Sequence, residues 1–123
     1  MTRGALVLLL AGLGLAVPAA AHWLQPEEIV TELNAPAVRD ALGVTSARRD
    51  DKTPRLLIVR VGPRWYELST AVRRLQARDW ADLWRHNVPE GIVAILDDRS
   101  ARPVVQFDAT GGVASVEERP PGS

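Results

Sequence analysis

The sequence predicts a small α/β domain of the order α-(α)-β-α-β-β-β, a mixed sheet with a parallel central pair of strands and helices packed on it. Three observations predict it. Two short runs of mostly branched apolar residues, at 56–61 and 92–96, have the pattern of strands covered on both faces. A long helical pattern at about 66–86 separates them, and strand, helix and strand of these lengths close right-handed into a parallel pair. Two further short runs, 103–107 and 113–116, follow turn signals and extend the sheet as antiparallel hairpins.

Before the domain comes an export signal. Arg3 gives a charged start, residues 5–17 are apolar, Pro18 breaks any helix, and Ala19, Ala20 and Ala21 supply the small residues of a cleavage site. The apolar run of 13 residues is shorter than the roughly 20 that span a bilayer. Residues 1–21 therefore read as a signal peptide, which makes the mature chain periplasmic or secreted, with no membrane span after cleavage; the rival reading is an uncleaved anchor extending to Trp23, its indole at the membrane interface. The 102 residues left of 123 make one domain, large enough for a core without staples.

The elements follow in order. In an N-terminal helical segment, 22–44, Pro26 with Glu27 and Glu28 starts one helix, acids lying where the helix dipole favours them. Pro36 starts a second, and Gly43 stands where a C-terminal cap is expected. Residues 45–54 are polar and of mixed charge, which predicts a surface linker. The α/β core occupies 55–116. On its long helix Trp65, Leu68, Val72, Leu75 and Leu83 fall in one apolar stripe with Trp80 at the edge, and Arg74, Arg78 and Arg85 fall opposite. Asp79 lies inside that stripe, so a kink is expected near Arg78 and Asp79, with Asp79 capping a fresh segment. Residues 117–123, with Pro120 and Pro121, read as a disordered tail.

Composition narrows the function classes. The chain has no cysteine, which removes disulfides, thiolate metal sites and thiol catalysis. It carries 15 basic and 15 acidic side chains, and loss of Arg3 leaves the mature chain at −1, without the positive field of a nucleic-acid binder. No P-loop, G-x-G-x-x-G, G-x-S-x-G or H-E-x-x-H is present, and Ser69 and Thr70 have no nearby base.

Three constellations remain. If the two central strands are parallel neighbours, their C-terminal ends put Arg64, Trp65 and Tyr66 beside Asp97, Asp98 and Arg99. Ligands favour that rim in open α/β sheets. Paired acids there, Asp97 and Asp98, could also hold calcium, although Asp and Ser at 97–100 make a good turn in any case. The second constellation is His22 with His86. Cleavage after Ala21 makes His22 the N-terminus, whose amine and ring nitrogen could chelate copper with His86 as third donor. This looks like the histidine brace of copper oxygenases and some periplasmic copper carriers. A histidine at a helix end also suits the dipole without any metal. The third is Trp84 with Arg85, an interface pair if Trp84 is exposed, although packing against the first helical segment is the expected fate of so large a side chain.

The strand Leu56–Val61, the helix end Ala81, Asp82, Leu83 and Trp84, and the run from Gly91 through Asp97, Asp98 and Arg99 resemble the TPM domain, an α/β module of thylakoid-lumen and bacterial envelope proteins. The resemblance covers 56–108. It implies divalent-cation binding by acids at a strand rim and, for some members, phosphatase activity. This chain departs from the family in lacking the glycine-rich stretch and closing helices after Val116. A β-α-β-β order with Pro103 before a strand is also similar to thioredoxin, of which a cysteine-free chain would be a redox-dead relative. The expected function is an exported accessory or binding domain, more an adaptor than an enzyme. It would engage an envelope protein, small ligand or ion at the rim, with no nucleic acid and no obligatory cofactor. Copper or calcium handling is the alternative, and TPM-like phosphatase chemistry the third.

Overall fold

A computed structural model describes residues 24–122. Residues 1–23, with the expected signal peptide and His22, lie outside the described residues.

Helices α1 (Pro26–Leu33) and α2 (Pro36–Leu42) form where each proline sits in a first turn that needs no N–H from it. The Glu28 carboxylate accepts the Gln25 N–H at 2.7 Å, which ties down the start of α1. Gly43 ends α2 in the left-handed region at φ 79°. A side chain there would be strained, and its Cβ would overlap the Trp65 backbone nitrogen.

The expected linker is a strand at its start. β1 (Val44–Arg49) pairs antiparallel with β2 (Leu56–Val61), and only the residues between them form the connection. A bulge between Val44 and Ser46 shifts the pleat, so Val44 and Ala47 both face inward although three residues apart. β1 is an edge strand, and its open side is plugged by a side chain. The Asn34 amide accepts the Ala47 N–H at 3.1 Å and donates to the Ala47 carbonyl at 2.8 Å, as a neighbouring strand would.

The long helical pattern divides elsewhere than at Arg78 and Asp79. A short α3 (Pro63–Glu67) ends at Leu68, and α4 (Thr70–Asn87) then runs unbroken. Ser69 caps α4, its hydroxyl accepting the Val72 N–H at 3.1 Å. The face that α4 buries is also not the expected stripe. Arg73, Ala77, Trp80, Ala81 and Trp84 are buried, whereas Val72, Leu75 and Leu83 are exposed. Two alanines let the helix approach the sheet closely, and the tryptophans fill the space on either side of them. Asp79 shares the outer face with the exposed residues, so no kink is needed to accommodate it.

β3 (Ile92–Asp97) lies parallel to β2 as expected, giving the order β1-β2-β3. The small α+β domain is thus of the predicted class. The last strands do not extend this sheet. β4 (Val105–Phe107) and β5 (Val113–Val116) form a separate two-stranded sheet, joined to β3 through the Leu96 to Pro103 bridge. Three arginines of α4 hold this hairpin by its carbonyls. Arg73 donates to Glu117, Arg74 to Val113 and Arg85 to Gly111, each at 2.7 Å. Arg74 and Arg85, expected opposite the apolar stripe, thus bind the hairpin. Glu117 is also anchored by its N–H to the Val104 carbonyl, so the tail begins only after it.

The core lies on one side of the sheet. Leu57, Val59, Val61, Val93 and Ile95 meet Ile29 and Leu33 of α1, Trp65 of α3 and the buried face of α4. Trp65 and Trp80 stack at 5.5 Å between ring centroids. The alternate residues of the central strands, Leu56 and Ile58 on β2 and Ile92, Ala94 and Leu96 on β3, share the other face by register and lie outside that core cluster. Coverage of both faces, expected from the sequence, is complete on the helix side and partial on the other, where Ile58 is buried, Leu56, Ala94 and Leu96 are half-buried and Ile92 is exposed.

Candidate functional site

The expected rim exists, because β2 and β3 end side by side and the Asp98 N–H bonds the Val61 carbonyl at 2.8 Å. Its members divide between three separate sets of contacts. Trp65 turns into the core and is fully buried. Tyr66 donates its hydroxyl to Asp97 Oδ1 at 2.7 Å, and Asp97 Oδ2 accepts the Ser100 N–H at 2.9 Å and the Ser100 hydroxyl at 3.0 Å. Asp97 is only 4% exposed, so both oxygens are committed to a closed clasp. Burial works to raise the Asp97 carboxyl, but hydrogen bonds from Tyr66, from Ser100 and from the Arg99 backbone outweigh it and hold the group below its ordinary range. Burial, and then the bond to Asp97, push the Tyr66 hydroxyl upward, so it stays a neutral donor.

Asp98 belongs to the second set. Arg60 reaches its carboxylate at 3.2 Å through Nε and its carbonyl at 3.0 Å through Nη2. Arg64 pairs with Glu67 at 3.1 Å along α3, and Arg99 is exposed in the turn. The adjacent carboxylates of Asp97 and Asp98 are engaged by different donors, so calcium between them would have to displace Tyr66, Ser100 or Arg60. Among the described residues no group of three or more acids and histidines converges on one point. Beside the rim, Arg39, Asp40, Gly43, Thr45, Gly62, Pro63 and Arg64 line an open cleft of about 240 Å³. That is smaller than the roughly 300 Å³ at which small-molecule pockets begin.

The interface pair is corrected outright. Trp84 is fully buried, its indole N–H donating to the Arg55 carbonyl at 2.8 Å, and it cannot meet a partner. Arg85 is spent on Gly111 and on the Phe107 ring, 5.5 Å from its centroid. His86 is on the last turn of α4. Its proposed copper partner, His22, lies outside the described residues. The start of the described chain is tied to the same end of α4, because the Leu24 N–H donates to Asn87 Oδ1 at 2.7 Å.

Sequence reasoning missed two features. Arg73 is 3% exposed, with Nη2 on the Thr70 hydroxyl and Nε unpartnered, and nothing but its place in the α4 periodicity could have marked it as buried. The larger omission is the second sheet face, which is only partly covered. Its signal was present, since both alternating sets of β2 and β3 are apolar, and it was read as coverage rather than as demand for coverage. Arg60 and Leu96, paired in register, carry this face up to the rim, where Asp98 meets Arg60.

No helix among the described residues is long and apolar enough to cross a membrane. Comparison with family models, with curated proteins and with solved structures finds no match.

Proposed function

We propose that the chain is an exported, non-catalytic binding domain that engages an envelope partner through the partly open second face of its sheet and the adjoining rim at Arg60, Asp98 and Arg99. One observation carries this reading. Around the buried Ile58, the half-buried Leu56, Ala94 and Leu96 and the 38% exposed Ile92 form an apolar field outside the core cluster. Antiparallel sheets left open to water alternate apolar with polar residues, whereas this parallel pair does not. The closed clasp of Tyr66, Asp97 and Ser100 supports the same reading, because it stiffens the rim without offering a free acid or base.

The test places a photo-crosslinking residue at position 94 of the chain that starts at His22, in the periplasm, with position 78 on α4 as control. A discrete adduct at 94, absent at 78 and lost on Leu96→Arg, is expected. Equal crosslinking at both positions, or none at 94, overturns the reading.

A second reading, copper handling by His22 and His86, is supported by the Leu24 to Asn87 bond, which brings a chain starting at His22 to within two residues of the helix turn that carries His86. Elemental analysis of protein matured in the periplasm should then find about one copper per chain. That copper would be lost when one residue is added before His22. A metal-free chain with His22 as its first residue rejects copper as a stably held ion.

A further inference from the structure

The open cleft where the end of α2 meets the start of α3 takes no part in the partner surface. Its volume of about 240 Å³ suits a ligand of a few heavy atoms rather than a drug-sized molecule. Two features of its lining leave room and demand for such a ligand. The Thr45 hydroxyl is buried without a hydrogen-bond partner, and a buried hydroxyl is normally paired. Gly62 has φ −112°, which any residue adopts, so its lack of a side chain is a matter of space. A β-carbon there would stand 3.0 Å from Thr45 Cγ2 and fill the cradle beside the orphaned hydroxyl.

The charged groups of the lining narrow the chemistry. Arg39 and Asp40 lie near the end of α2, and their side chains make no hydrogen bond or ion pair among the described residues. Arg64 uses only Nη1 on Glu67, in a surface pair half exposed or more, so its other nitrogens remain for a ligand. Two guanidiniums favour a carboxylate, whose two oxygens match their forked N–H groups. Asp40 opposes a simple anion in so small a space and favours a cation bound together with it. A zwitterion carries both charges within a few bonds.

We infer that the cleft binds a small zwitterion of the α-amino acid class. Its carboxylate lies on Arg39 and Arg64 and accepts the Thr45 hydroxyl, and its ammonium group lies on Asp40. The inference goes beyond the partner reading and does not depend on it, since these residues belong neither to the apolar field nor to the rim at Arg60, Asp98 and Arg99.

Free glycine is titrated into isotope-labelled protein matured in the periplasm and followed by amide resonances. Acetate and methylammonium, its two halves, are titrated at matched ionic strength. The amides of Gly43, Thr45 and Gly62 should shift and saturate with glycine in the low millimolar range, and bind either half at least about fivefold more weakly. Asp40→Asn should weaken glycine by about fivefold and leave acetate unchanged, whereas Arg39→Gln should weaken both. Thr45→Val, which removes the orphaned hydroxyl at constant shape, should weaken glycine without lowering Tm. Shifts that do not saturate, equal affinity for glycine and acetate, or binding indifferent to Arg39→Gln and Asp40→Asn overturn the inference. None of these outcomes bears on the crosslink at position 94, so failure of the cleft and failure of the partner surface are told apart.

Discussion

Tyr66→Phe isolates the rim clasp with the least disturbance. The ring stays, and only the hydroxyl that donates to Asp97 at 2.7 Å is removed. A hydrogen bond to a charged group contributes about 1.5–3 kcal/mol, and Asp97 keeps its two bonds from Ser100, so a loss of about 2 kcal/mol at pH 7 is expected. For a domain of this size that lowers Tm by roughly 8–16 °C. The pH dependence is the sharper signature. Asp97 is held below its unfolded value, so its contribution is complete above about pH 4 and fades as pH falls through the folded value. Tyr66 is raised, so its contribution is complete below about pH 10 and fades as pH rises beyond it. The stability gap between parent and variant should therefore be widest between about pH 5 and 9 and narrow at both ends. Urea denaturation at pH 3, 7 and 10.5 measures it. A gap that is constant with pH, or below about 0.5 kcal/mol at pH 7, refutes the clasp as an electrostatic unit.

Two other substitutions test the framework around the site. Gly43→Ala places a β-carbon on the Trp65 backbone nitrogen at φ 79° and should cost about 2 kcal/mol or more, read by urea denaturation; a neutral result would mean that α2 and α3 are not in contact there. Arg85→Ala removes the bond to Gly111 and the contact with Phe107, so amide exchange across 105–116 should accelerate by about tenfold while β2 and β3 stay protected; uniform loss of protection would show that the hairpin is not a separate unit.

The parts of the fold legible in the sequence were those whose burial is one-dimensional. β2 and β3 are short apolar runs between turn residues, and α1, α2 and the Gly43 cap are announced by residues with few alternatives in backbone geometry. β1 was hidden because its bulge breaks the two-residue period. Val44 and Ala47 are its inward residues, and Asn34, thirteen positions before Ala47, completes its edge. The inner face of α4 was hidden by hydrophobicity ranking itself, which prefers leucine and valine to alanine. Close packing on a sheet favours Ala77 and Ala81, with Trp80 and Trp84 beside them. Asp79 in the supposed core stripe was the clue that the stripe faced outward. At the rim the sequence brought Tyr66, on the helix after β2, beside Asp97 at the end of β3, but side-chain alternation through the end of β3 decides that Asp97 turns in to Tyr66 and Asp98 turns out to Arg60.

The three strands differ in what they ask of the second face. On β1 the residues in register with that face are Ser46 and Arg48, which water can solvate. On β2 and β3 the corresponding positions are Leu56 and Ile58, then Ile92, Ala94 and Leu96, broken only by Arg60, which is drawn to Asp98 at the rim. Propensity cannot explain this difference, since threonine is as good a strand former as isoleucine where side chains meet water. Nor does the core require it, because these residues stand outside the cluster that joins sheet to helices. The same pair carries α4 on its other side. The sheet therefore has a full layer on one side and a partly open apolar field on the other, with Ile58 buried and Ile92 38% exposed.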